Sequence, residues 1–125
     1  MQNKEVKSNA SELHRKVYNI VKECYPKETI LQEKTIKIDG KTLFIDIYVP
    51  RLKVGVECNG RQHYKFTQFF HGDAQKFKQQ VENDRLKKEY CEIEGITLVN
   101  VRYDEIINRE LLEDKIVDAL KRGTK

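Results

Sequence analysis

Two carboxylates on consecutive predicted strands are the strongest chemical signal in the sequence. Asp46 and Glu57 belong to two runs rich in β-branched and aromatic residues. Pairing Val49 with Val54 across the four-residue loop 50–53 keeps the apolar residues of both runs on one face and places Asp46 directly opposite Glu57. Directly opposed residues have Cβ atoms about 4.5–5.5 Å apart, where like charges destabilise a sheet. A divalent cation between them would remove that cost, and Mg²⁺, or Mn²⁺, suits carboxylate and phosphate oxygens.

The residues after the second run add groups that could take part in the same chemistry. Gly55 and Gly60 remove side-chain bulk beside the carboxylates, which leaves room for a backbone to approach. Gln62 and His63 follow directly, and a histidine can act as a general base or a general acid. A metal held by Asp46 and Glu57 would polarise a phosphate and lower the pKa of the attacking water.

Helical and strand periodicities define the elements that must position these groups. The Asp39-Gly40 pair predicts a hairpin turn, and Gly95 predicts the end of a helix. In the strand 41–49, alternation predicts Leu43, Ile45, Ile47 and Val49 on one face and Phe44, Asp46 and Tyr48 on the other. The predicted elements are a helix at 10–25, strands at 29–38, 41–49 and 53–59, a helix at 74–94, a strand at 96–102 and a helix capped by Asp104 with an apolar stripe of Ile107, Leu111, Val117 and Leu120.

This order, αβββαβα, predicts an α/β fold with a mixed sheet, because a meander is followed by a helical crossover. A length of 125 residues fits a single domain, 1–125, with its core at about 10–122. The net charge of +4 is compatible with a polyanionic partner but does not require one.

Composition also limits where the chain acts. No apolar run approaches the roughly 20 residues that span a bilayer, and the first residues lead into no secretory signal. The three cysteines, Cys24, Cys58 and Cys91, lie too far apart for a zinc knuckle and predict reduced thiols in a cytoplasmic protein. His14 and His71 belong to no pattern.

The stretches 44–50 and 54–64 together resemble the PD-(D/E)XK nuclease superfamily. They are most similar to the branch related to very short patch repair endonucleases, which includes phage homing endonucleases with an E-D-x-H-D pattern. The resemblance covers about residues 11–104. It implies a restriction-endonuclease-like core and a Mg²⁺-dependent endonuclease that hydrolyses DNA, and it points to a phage or mobile element as the source.

Carried over by position, the resemblance assigns the metal to Asp46 and Glu57. It makes Glu12 the acidic residue of the first helix, His63 the catalytic histidine and Asp84 the late acidic residue. Asn59 stands where the superfamily motif has lysine. The work of that lysine, stabilising the attacking water and the phosphate charge, then falls to Gln62, His63 or Arg61. Basic residues among aromatics in and after the loop, Arg61, Lys65 and Lys76 above all, are predicted to contact nucleic acid.

Two other functions fit the same residues. A module that keeps the nuclease fold but only binds nucleic acid is favoured by Asn59, and it predicts DNA affinity without cutting. The other alternative is a structural protein that forms a homodimer through Phe69 and Phe70, and it predicts neither DNA nor metal binding. Taken singly, Asp46, Glu57 and Asp84 could be solvated surface acids, Glu12 a capping-box residue and His63 a loop histidine.

Overall fold

A computed structural model of the chain describes residues 9–59 and 74–123, with the side chains of the first helix described from Glu12 onward. The predicted order of elements is confirmed. The elements are α1 (Asn9–Cys24), β1 (Leu31–Ile38), β2 (Lys41–Val49), β3 (Val54–Asn59), α2 (Ala74–Glu94), β4 (Thr97–Arg102) and α3 (Arg109–Gly123).

The strands form a mixed four-stranded sheet in the order β1-β2-β3-β4. Strands β1, β2 and β3 are an antiparallel meander, and β4 joins β3 in parallel after the crossover through α2. The predicted turns are also present. Asp39 and Gly40 have φ angles of 51° and 74°, as a tight hairpin turn requires, and Gly95 at φ 75° ends α2.

Helices cover both faces of this sheet. On one face α1 and α3 pack on β2, β3 and β4 around fully buried residues such as Val17, Val56 and Ile116. On the other face α2 contributes Leu86 and Cys91 to a second buried cluster with Ile36, Leu43, Ile45, Tyr48 and Ile96. Strand β3 is therefore buried on both faces, and none of the described helices is long and apolar enough to cross a membrane.

The predicted alternation along β2 is wrong, because the strand changes pleat phase at Asp46. Leu43, Ile45 and Tyr48 belong to the cluster under α2, whereas Ile47 and Val49 belong to the cluster under α1 and α3. The residue of β1 opposite Asp46 is Glu33, which has a φ of 54° and is missing from the run of paired residues. A left-handed residue in a strand distorts the pleat locally. The prediction assumed a regular strand, and no pattern within β2 indicates this change.

The start and the buried face of the last helix also differ from the prediction. Asn108, not Asp104, caps α3, because the Leu111 backbone N–H donates to Asn108 Oδ1 at 2.9 Å. Asp104 instead pairs with Arg102. Leu111 and Val117 are exposed, and the buried stripe is Leu112 and Ile116, with Ile107 buried as predicted.

Candidate active site

The two predicted carboxylates are interlocked across the strand pair β2–β3. The predicted register is confirmed by the pairs Ile47–Val56, Tyr48–Gly55 and Val49–Val54. At the next position, Asp46 and Glu57, hydrogen bonds from backbone to side chain take the place of backbone pairing. The Asp46 backbone N–H donates to Glu57 Oε2 at 3.0 Å, and the Cys58 backbone N–H donates to Asp46 Oδ2 at 2.8 Å. Each carboxylate is thus held by the backbone of the opposite strand.

Glu57 is buried on the α2 side of the sheet and is paired with a lysine. Lys87 Nζ lies 2.7 Å from Glu57 Oε1, and the side chains are only 14% and 7% exposed. Burial raises the pKa of the Glu57 carboxyl above its ordinary value and the negative charge of Asp46 raises it further, while Lys87 opposes both. The strand pair alone therefore carries an excess of negative charge, which Lys87 partly offsets.

Sequence reasoning missed Lys87 as a member of this site. The signal that could have found it is helical spacing, since Lys87 lies one turn before Cys91, which is buried against the sheet. What the sequence could not show is that α2 crosses the sheet at Glu57. Asn59 stands where the superfamily motif has lysine. Its side chain bonds to β4, since Asn59 Nδ2 donates to Asn100 Oδ1 at 3.0 Å.

An open cleft of about 540 Å³ lies beside this ion pair, between α2 and the β3–β4 edge. Asp84, an exposed predicted site residue, lines it together with Glu57 and Lys87, so the structure brings these three together. Four acidic and four basic side chains line the cleft, so it is not a simple basic groove. They are Glu57, Asp84, Glu92, Glu105, Lys87, Lys88, Arg102 and Lys115.

Asp46 has different neighbours, on the α1 side of the sheet, so the prediction that its side chain shares one sheet face with that of Glu57 is wrong. The change of pleat phase at Asp46 is the reason. One donor atom each from His14, Asp46 and Cys58 lie within 4.8 Å of one another. His14 Nε2 is 2.8 Å from Gln32 Oε1 of β1. Burial raises the pKa of the Cys58 thiol well above its ordinary value, as do the charges of Asp46 and Glu57. No sequence pattern marked His14, because its partners lie on three separate strands.

Two other predicted residues are exposed on the helices. Glu12 is exposed in the first turn of α1. Because residues two apart on a helix do not share a face, it is His14, not Glu12, that faces Asp46. Lys76 is exposed near the start of α2. The predicted roles of Arg61, Gln62, His63 and Lys65, and of Phe69 and Phe70 in a dimer, fall on residues outside the described ranges.

The donor set of the strand pair fits a hard divalent cation. Both groups are carboxylates, and an ionised carboxylate has about four lone-pair positions. Asp46 Oδ1 accepts no hydrogen bond from any other described residue, and Glu57 Oε2 is used only by one N–H. Burial and then the negative charge of Asp46 raise the pKa of the Glu57 carboxyl, and a cation bound by both carboxylates would relieve their mutual repulsion.

Three viral proteins share sequence with about half of this chain. Protein 307L of Invertebrate iridescent virus 6 is 48% identical over 61 residues, which is 49% of this chain and 31% of that protein. Protein 033L of Invertebrate iridescent virus 3 is 41% identical over 53% of this chain and 34% of its own length. Protein 094L of Frog virus 3 is 40% identical over 51% of this chain and 42% of its own length.

All three are described as uncharacterized proteins. The chain spans between 31% and 42% of the length of these relatives. No protein-family model matches the chain, and no solved structure matches it.

Proposed function

We propose that this chain is a metal-dependent endonuclease of the PD-(D/E)XK type, which hydrolyses phosphodiester bonds of DNA with Mg²⁺ or Mn²⁺. The observation that carries the proposal is the interlocked pair Asp46 and Glu57 with Lys87 at 2.7 Å from Glu57. Two acids on adjacent strands can hold a catalytic metal, and a lysine beside them can stabilise negative charge that develops on a phosphate. The confirmed αβββαβα order and mixed sheet are compatible with that superfamily.

The roles follow from the contacts of each residue. Asp46 and Glu57, whose carboxylates each reach the backbone of the opposite strand, would hold the ion between the α1 and α2 sides of the strand pair. When bound, the ion would supply a Lewis acid for the phosphate and its attacking water. Lys87 would provide the positive charge that Asn59 cannot. Its ammonium already lies beside Glu57, so it can stabilise negative charge that develops on a phosphate placed against the pair. Asp84, on the wall of the same cleft, is a candidate to orient water.

Partner and setting are part of the proposal. DNA would enter the cleft beside Lys87 and Lys88, on the side of the sheet that α2 covers. The three cysteines are free thiols, which supports action in a reducing compartment such as the cytoplasm. The viral relatives support an origin in a virus or another mobile element.

The test is nicking of supercoiled plasmid in Mg²⁺, Mn²⁺ and EDTA. The variants Asp46→Asn and Glu57→Gln should each reduce the rate at least about 100-fold, roughly 3 kcal/mol of transition-state stabilisation. Asp118→Asn is the matched control, because Asp118 is an exposed acid of α3 whose ion pair is with Arg122 on the same helix. Wild-type rates in either site variant would refute the proposal.

One observation favours the alternative of a module that binds nucleic acid without cutting it. Lys87 already neutralises Glu57 within the protein, so the buried pair is complete without a metal. This alternative predicts a metal-independent shift of short DNA duplexes on a gel, with no nicking in Mg²⁺ or Mn²⁺.

A further inference from the structure

Three possible metal-ligand atoms lie close together on the α1 side of the sheet. Only the one from Asp46 belongs to the proposed nuclease centre. A ring nitrogen of His14, a carboxylate oxygen of Asp46 and Cys58 Sγ lie within 4.8 Å of one another. A tetrahedral zinc site with bonds of about 2.0–2.3 Å holds its donors roughly 3.3–3.8 Å apart. The three atoms therefore need to move together by only about 1 Å to surround one ion.

Local hydrogen bonds already fix two of the three donors. The Cys58 N–H donates to Asp46 Oδ2 at 2.8 Å, which holds the carboxylate next to the thiol. Gln32 Oε1 lies 2.8 Å from His14 Nε2, and in the tautomer that donates this N–H to the amide oxygen, Nδ1 is the ring nitrogen left to bind an ion. Imidazoles that bind metals almost always donate their second N–H to an oxygen in this way.

We propose that His14, Asp46 and Cys58 bind a first-row transition ion such as Zn²⁺ or Co²⁺. Thiolate and imidazole donors select such ions over Mg²⁺, which prefers oxygen. On binding, the Cys58 thiol loses its proton to solvent, so one thiolate and one carboxylate balance the two positive charges of the ion. His14 is only half-buried, which leaves an approach for the ion and a fourth position for water.

Charge supports the same assignment. Among the described residues no basic side chain forms an ion pair with Asp46, whereas Glu57 on the other side is paired with Lys87. Of the two carboxylates, the one without an ion pair among the described residues is the one beside the thiol and the imidazole. Since Asp46 would serve both sites, Zn²⁺ should inhibit Mg²⁺-dependent nicking; this consequence alone rests on the proposed function.

The experiment is titration of the purified chain with Co²⁺, followed by absorbance. Wild type should develop a near-ultraviolet thiolate-to-cobalt band together with visible ligand-field bands at one equivalent. Cys58→Ser should lose the thiolate band, and His14→Gln should weaken Co²⁺ affinity at least about tenfold. Cys24→Ser is the matched control, because Cys24 is a half-buried thiol outside the cluster, and it should keep both bands. Circular dichroism of each variant verifies that it is folded.

The proposal is overturned if wild type shows no thiolate band, if Cys58→Ser keeps it, or if Cys24→Ser loses it. It is also overturned if folded His14→Gln binds Co²⁺ as tightly as wild type. Glu57→Gln separates this site from the nuclease proposal, because that variant should keep the cobalt bands while losing plasmid nicking. Cobalt bands without nicking in wild type would refute the nuclease alone, and nicking without cobalt bands would refute the transition-ion site alone.

Discussion

The two sides of the β2–β3 strand pair each carry a carboxylate, but only one of the two has a basic side chain beside it among the described residues. On the α2 side, Glu57 is 7% exposed and is neutralised by Lys87 at 2.7 Å. On the α1 side, Asp46 is half-buried beside His14 and Cys58 and pairs with no basic side chain among the described residues. The difference is that helix α2 supplies a positive charge to Glu57, whereas no described residue supplies one to Asp46.

The two sides are nevertheless coupled through the backbone. Glu57 accepts a hydrogen bond from the Asp46 N–H, and Asp46 accepts one from the N–H of Cys58, the residue after Glu57. A shift of either carboxylate therefore moves the backbone that holds the other. Because of this coupling, variants on one side should be scored for effects on both.

The largest effect on stability should come from Lys87→Met. It leaves Glu57 buried without its cation, and breaking a buried pair costs about 3–5 kcal/mol of unfolding free energy. Urea denaturation measures the loss. Lys88→Met is the matched control, because Lys88 is exposed on the same helix and should change stability by less than about 0.5 kcal/mol.

The double variant Lys87→Met with Glu57→Gln sharpens this test, because it removes the charge that Lys87 neutralises. Most of the lost stability should return, so the two changes should be strongly non-additive. Additive losses would show that the Lys87–Glu57 pair is not the source of the effect.

The second effect is the stability that a metal bound by Asp46 and Glu57 would add. An ion that binds only the folded chain at 100 times its dissociation constant adds about 2.7 kcal/mol to the free energy of unfolding. We expect Mg²⁺ to stabilise wild type and Asp118→Asn equally, and to leave Asp46→Asn unchanged, as measured by urea denaturation with and without the ion. An equal gain in Asp46→Asn would place the ion elsewhere.

A smaller effect on stability concerns the close packing of Gly55 in β3 against its neighbours in β2 and β4. A Cβ at Gly55 would lie 2.9 Å from Ile45 Cγ2 and 3.1 Å from Leu98 Cδ1. Ile45 is fully buried and cannot move aside, so Gly55→Ala should lower the free energy of unfolding by about 1–3 kcal/mol. Gly123→Ala is the control, because its Cβ would meet only Thr97 Oγ1 at 3.4 Å. Equal denaturation midpoints for the two variants would contradict this account.

The smallest effect is the difference in thiol reactivity. Burial and the charge of Glu57 raise the pKa of Cys91 to about 11. Only about 0.1% of such a thiol is ionised at pH 8, and the thiolate is the reactive form. Mass spectrometry after iodoacetamide treatment should find half-buried Cys24 labelled well before Cys91, whose labelling rate should rise with pH up to about 11. Faster labelling of Cys91 would contradict its burial under α2.

Local patterns predicted the elements well, because period and turn chemistry are local properties. Strand β2 and helix α2 have the bounds that the sequence predicted, and the Val49–Val54 register followed from keeping apolar residues on one face. Asn108 replaced Asp104 as the cap of α3, since both are good capping residues and packing decides between them.

The site was predicted only in part, because its members come together through tertiary contacts. Asp46 and Glu57 were found from the register of one hairpin, which is nearly local. Lys87 arrives through the crossover of α2 and His14 through the docking of α1, and neither position carries a motif. The pleat change at Asp46 lies opposite the left-handed Glu33 of a different strand, which no pattern in β2 could reveal.

The most direct test of the nuclease centre is anomalous diffraction from a crystal of the chain soaked in Mn²⁺. The account predicts a peak at roughly 2 Å from a carboxylate oxygen of Asp46 and from one of Glu57, present in Asp118→Asn and absent in Glu57→Gln. A peak that contacts neither carboxylate, or one that persists unchanged in Glu57→Gln, would contradict it.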